Sequence, residues 1–241
     1  MGGCSCGGPE CAAPTGLFCF DQGSGEPLVL LHGNGGECTF FQKQVGFFGD
    51  SRRILAPDTR GHGRSERGEG EFTLARFAED LKDHLDAKGV DRADLLGFDD
   101  GGATALIFAL RYPERVRRLV LVGAVLDPQG RQWYLQLSNK IGWLANKGAG
   151  GLDGEAADHS LELLKLQMEP SGLTPEQLKA IQAPTLVIAG KRDQVRRAHT
   201  KLIADSIPGA RLAILPGDHY MLRHEPKLFN KTVAEFFAQT E

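Results

Sequence analysis

Three residues of this 241-residue chain have the types and the order of an acid–base centre: Asp99, Asp193 and His219. A carboxylate with a reference pKa of ~3.9 is already an anion at neutral pH, so Asp99 needs no base before it attacks. Histidine titrates near neutrality and can take a proton, and a second carboxylate can orient it and hold the charge it gains. Asp99 stands in Gly97-Phe98-Asp99-Asp100-Gly101-Gly102, between an apolar run and a helix-like run. A nucleophile flanked two residues away on each side by glycine fits a sharp strand-to-helix turn, whose crowded backbone has no room for a Cβ at either flank. Asp193 follows Ala189-Gly190 and His219 follows Leu215-Pro216-Gly217, each just beyond an apolar run.

The elements around these residues must bring them together. Residues 17–20 read as a strand running into the turn cluster Asp21-Gln22-Gly23-Ser24-Gly25. Continuous apolar runs at 28–31, 54–57, 93–96, 119–122, 185–189 and 212–215 have the character of strands buried on both faces. Helices alternate with them. Thr73 precedes Leu74, Phe77, Leu81 and Leu85 at helical spacing and Gly89 follows, which predicts a capped helix over 74–88. Further helices are expected over 101–112, ended by Pro113, and near 198–207 and 226–239. Between Leu126 and Pro184 there is no strand, only helical pieces at 133–144 and 161–168 and one opened by Thr174-Pro175, with Gln177 placed for a capping box. This alternation predicts an α/β fold, a mostly parallel doubly wound sheet with ligands bound beyond the carboxyl ends of its strands. The stretch from His32 to Gly36, the Asp99 turn, Asp193 and His219 then share one edge.

The chain divides into a Gly- and Cys-rich tail over 1–15, one core built from 16–125 and 185–241, and a helical insertion over 126–184 expected to act as a lid. Cys4, Cys6 and Cys11 lack a fourth ligand at zinc spacing, so the tail is expected to be flexible and thiol-bearing rather than a metal knuckle. The net charge of -3 and the lack of basic clusters beyond 111–118 and 192–197 argue against a nucleic-acid partner. No apolar stretch of ~18 residues and no leader pattern is present, which predicts a cytoplasmic protein without membrane contact. The expected partner is a small-molecule substrate, with no cofactor and no metal; the oligomeric state is not legible.

The Asp99 turn, His32-Gly33 after an earlier strand, the chain order Asp99, Asp193, His219, and the segment from Asp58 to Ser65, which is similar to a D-x-R-G-x-G-x-S loop, together resemble the α/β-hydrolase superfamily over about residues 16–240. Within it the chain looks most like small lid-bearing serine hydrolases with a G-F-S-D-G-G turn, and it departs from them by carrying Asp99 in place of the nucleophilic serine. The resemblance implies a hydrolase of small organic substrates with esterase-like architecture. Asp193 would orient His219 as base, and the backbone N–H groups of Asn34 and Asp100 would form an oxyanion hole. Gly33, Trp133, Tyr134 and Trp143 are candidates for the substrate pocket, although aromatic residues at helical spacing equally suit the packing face of a lid. His32 and His62 are expected to brace loops.

Three outcomes are open for Asp99. A carboxylate attacking an ester gives an anhydride, so ordinary ester turnover is expected to be impaired, with His219 held as an imidazolium between Asp99 and Asp193. Haloalkane dehalogenases and epoxide hydrolases of the superfamily use an aspartate covalently at an sp³ carbon. Here, however, Asp100 stands where dehalogenases carry tryptophan, and the insertion holds only Tyr134 where epoxide hydrolases use two tyrosines. The remaining outcome is a catalytically silent ligand-binding protein. Asp100 itself is expected either to select a cationic substrate group or to cap the helix that starts there.

Overall fold

The computed structural model describes residues 16–148 and 155–239, so Cys4, Cys6, Cys11 and the expected flexible tail lie outside the described residues. The strands are β1 (Cys19–Gln22), β2 (Glu26–Leu31), β3 (Arg52–Pro57), β4 (Ala93–Phe98), β5 (Val116–Val122), β6 (Thr185–Arg192) and β7 (Arg211–Asp218). The helices are α1 (Gln42–Phe48), α2 (Leu74–Ala87), α3 (Asp100–Arg111), α4 (Trp133–Gly148), α5 (Glu155–Met168), α6 (Pro175–Leu178), α7 (Arg197–Ser206), α8 (Met221–His224) and α9 (Pro226–Gln239). The strands form one sheet in the order β1-β3-β2-β4-β5-β6-β7, in which only β1 runs antiparallel to its neighbour.

Apolar runs without alternation become strands covered on both faces, because successive side chains point to opposite sides and each side finds helices. All six residues of β4 are buried. Leu95 joins Leu81, Leu106 and Ile203 on one face, while Leu96 and Phe98 join Phe41, Phe229 and Phe236 on the other. Thr73 caps α2 by accepting from the Arg76 N–H, and Thr174 and Gln177 form the expected capping box at α6.

The edges differ from the sequence-based expectation. β1 lies at Cys19–Gln22 rather than 17–20, because Phe18 donates its N–H to Ser65 Oγ and Asp21 is held by a two-bond ion pair with Arg53 on β3. β6 and β7 run past their apolar stretches as far as Arg192 and Asp218, which pair across the ladder. Two short helices, α1 and α8, carry too few apolar positions to be read from periodicity.

Between β5 and β6 the described chain forms α4, α5 and α6 and no strand of the sheet. The loops after β2, β4, β6 and β7 meet at the carboxyl edge beneath this insertion. No helix among the described residues is long and apolar enough to cross a membrane.

Candidate active site

Asp99 is the only non-glycine described residue with positive φ, at φ 53° and ψ -117°. Such a conformation costs on the order of 1–3 kcal/mol and persists only where the surroundings over-determine it. Here the Asp99 N–H donates to Val122 O on β5, and Asp99 O accepts from Gly102 N and Ala103 N. The turn is tight enough that a Cβ on Gly97 would lie 2.3 Å from Gly101 O, and one on Gly101 2.2 Å from Leu31 O. Gly101→Ala is therefore expected to lower stability by about 1–3 kcal/mol, as overpacking does, measurable by urea denaturation.

Asp193 and His219 form the second part of the site. His219 Nδ1 lies 2.8 Å from Asp193 Oδ1, and both side chains are buried. Burial raises the Asp193 pKa, but His219 and the N–H groups of Val195 and Gly190 outweigh it and hold the carboxylate below its ordinary value. The His219 ring sits 4.8 Å from the ring of Phe98, the residue before Asp99.

The expected bond between His219 and Asp99 is not formed: Asp193 is the ring's only hydrogen-bond partner among the described residues. Asp99 is instead paired with Arg131, whose Nη2 donates to Asp99 Oδ1 at 2.8 Å and to Asp100 Oδ1 at 3.2 Å. All three side chains are nearly dry. Arg131 is held there by its backbone. Gly130 O accepts from Arg196 N, Gln132 N donates to Gln194 O, and Arg131 makes a bridge to Val195. The insertion is thus stitched to the loop that carries Asp193. Sequence reasoning passed over Arg131, although it is the sole arginine between 126 and 184 and had two adjacent carboxylates to meet.

Asp100 is neither a simple cap nor an open receptor for a cation, since Arg131 and the Asn34 amide already occupy its carboxylate. Burial first, then the charge of Asp99, push its pKa up to about 7. A carboxyl whose folded pKa exceeds its unfolded value binds its proton better when folded. Its contribution to stability is therefore complete at low pH and is lost as pH rises toward 7. The wild-type chain is expected to lose roughly 2 kcal/mol between pH 5 and pH 8 from this group. Asp100→Asn should flatten that slope in melting curves recorded across the range.

Asn34 and Gly33 lie against this cluster. The Asn34 side chain donates to Asp100 Oδ2 and to Leu163 O on α5, and a Cβ on Gly33 would come within 2.9 Å of Asp99 Cβ. The Asp100 N–H opens α3, where the first-turn amides have no intrahelical acceptor. His32 accepts from Thr59 N through Nε2, so its Nδ1 carries the proton donated to Gly33 O, and burial keeps the ring neutral. His62 bonds to Arg60 O, and burial lowers its pKa to about 4.

A cavity of about 480 Å³ opens over Asp99 and Arg131, lined also by Gly33, Asn34, Phe40, Phe98, Leu135, Asn139, Gln167, Gln194, Tyr220 and Arg223. Trp133 and Tyr134 do not line it: they are 72% and 49% exposed, and Trp143 is half-buried on the same helix without reaching the cavity. Helix α4 turns Leu135 and Asn139 inward, which rotates 133 and 134 to the outside.

A family model described as the alpha/beta hydrolase fold matches residues 26–147. The chain belongs to the α/β-hydrolase superfamily. It is 31% identical to a 2-hydroxymuconate semialdehyde hydrolase of Pseudomonas putida, over 92% of this chain and 90% of that protein. It is also 30% identical to the serine hydrolase BPHL of Mus musculus, over 89% and 80% of the two chains. Among solved structures, a variant of the meta-cleavage product hydrolase CumD from Pseudomonas fluorescens superposes with a TM-score of 0.79 at 24% identity, covering 97% of this chain and 98% of that one. This α/β hydrolase is thus a hydrolase by relationship.

Proposed function

We propose that the protein is a hydrolase of small, oxygen-rich organic substrates whose site keeps the parts of an acyl-transfer centre but carries a carboxylate, Asp99, at the nucleophile position. In this reading Asp193 orients His219 as base, the Asn34 and Asp100 N–H groups face the oxyanion, and helices α4 and α5 roof the pocket. The cavity's size falls within the range of small-molecule sites, and its polar wall suits substrates of the kind named for the Pseudomonas putida relative.

The observation that carries the reading is the buried Asp193–His219 pair beside a strained turn whose side chain is engaged by Arg131. Attack by the Asp99 carboxylate on an ester carbonyl would expel an alkoxide and leave a mixed anhydride, which the alkoxide readily reverses. Arg131 lowers the carboxylate's nucleophilicity further. Ordinary ester turnover is therefore held low by this position alone. Asp99→Ser supplies a hydroxyl that His219 can deprotonate, and appearance of p-nitrophenyl acetate hydrolysis in that variant tests the reading. Covalent aspartate chemistry on epoxides finds little support, because Tyr134, the tyrosine of the insertion, faces outward.

A further inference from the structure

Helix α4 has two faces. Leu135 and Asn139 point into the cavity, while Trp133, Tyr134, Leu137, Ile141 and Leu144 are between 49% and 72% exposed. Positions 134, 137, 141 and 144 follow the alternating three- and four-residue spacing of a coiled-coil seam, with 135 and 139 on the opposite side. Scattered exposed apolar residues need no explanation, but a continuous stripe of this kind does. We propose that this stripe is a self-association surface, on which α4 of a second copy packs antiparallel across a two-fold axis.

The area fits a second copy. The five side chains expose on the order of 500 Å² per copy, so burying two stripes against each other removes roughly 1,000 Å², the floor for a specific interface. A two-fold contact uses the same patch on both partners. In the antiparallel register centred on residue 139, Leu137 meets Ile141 of the second copy and Tyr134 meets its Leu144. Lys140, the only charged residue between 133 and 145, lies on the exposed flank of the stripe, where its long side chain keeps the ammonium in water.

Other covers fit less well. Residues 1–15 offer Met1 as their only large apolar side chain. An anionic lipid surface draws clusters of lysine and arginine, whereas this face carries one lysine on a chain of net charge -3. Because the inner face of α4 lines the cavity, self-association would also steady the roof of the site.

The test is the solution mass of the full chain by sedimentation across a concentration series, beside Leu137→Glu/Ile141→Glu. The wild type should run at twice the 26.1 kDa chain mass, and the variant should dissociate at concentrations at least about tenfold higher than the wild type does. A second variant, Ser138→Cys/Lys140→Cys, changes only exposed positions and should oxidise to a covalent dimer faster than the wild type. A wild-type monomer throughout, or a dimer untouched by the glutamates with no faster crosslinking, overturns the proposal. A monomer whose tryptophan fluorescence shifts on adding phosphatidylcholine vesicles also overturns it, assigning the stripe to a membrane surface.

Discussion

Arg131→Leu is expected to destabilise the protein by about 3–5 kcal/mol at pH 8, the range found when one partner of a buried ion pair is removed. The cost arises less from losing an attraction than from leaving the Asp99 and Asp100 carboxylates dry and unpaired, with side chains 9% and 11% exposed. Among the described residues, Asn34 then remains as the one side-chain donor to Asp100. The loss should be smaller at pH 5, where Asp100, with its pKa pushed up to about 7, carries a proton. Urea denaturation at both pH values measures it. Adding Asp99→Asn and Asp100→Asn to Arg131→Leu should recover most of the loss, because amides need no counter-charge. A loss under about 1 kcal/mol at both pH values would mean that solvent screens the cluster.

Asp99→Ser is expected to raise p-nitrophenyl acetate hydrolysis by about 10²–10³-fold over the wild type. Catalysis by a hydroxyl depends on its base, the base's orienting carboxylate and an oxyanion site acting as a unit, so one missing member suppresses turnover nearly as fully as several. The structure holds the Asp193–His219 bond independently of Asp99, and substitution leaves Arg131 paired to Asp100. The gain should vanish in Asp99→Ser/His219→Ala. It should also be accompanied by unchanged or greater stability, since one of two buried carboxylates is gone.

Much of the fold was legible because its central strands are buried on both faces, where continuous apolar runs such as 28–31 and 119–122 have no other fate. The glycines at 97 and 101 announced the turn because its backbone admits nothing larger. What escaped notice depended on long-range geometry. Arg131 has an ordinary local sequence, and its role comes from a backbone link to Gln194 and Arg196, over sixty residues away. The outward rotation of Trp133 and Tyr134 is set by how α4 lies on α5, which periodicity cannot orient. Similarly, His219 was expected to bond Asp99 because the competing cation was not in view.

The central property of the site is that it becomes an acyl-transfer centre once position 99 carries a hydroxyl. The direct measurement is rapid-quench reaction of Asp99→Ser with p-nitrophenyl acetate, read as p-nitrophenol released and as intact mass of the protein. A burst of p-nitrophenol and one acetyl group per chain are expected, mapped by peptide analysis to position 99 and abolished by His219→Ala. Release no faster than from wild type, with no acetyl group at position 99, would contradict it.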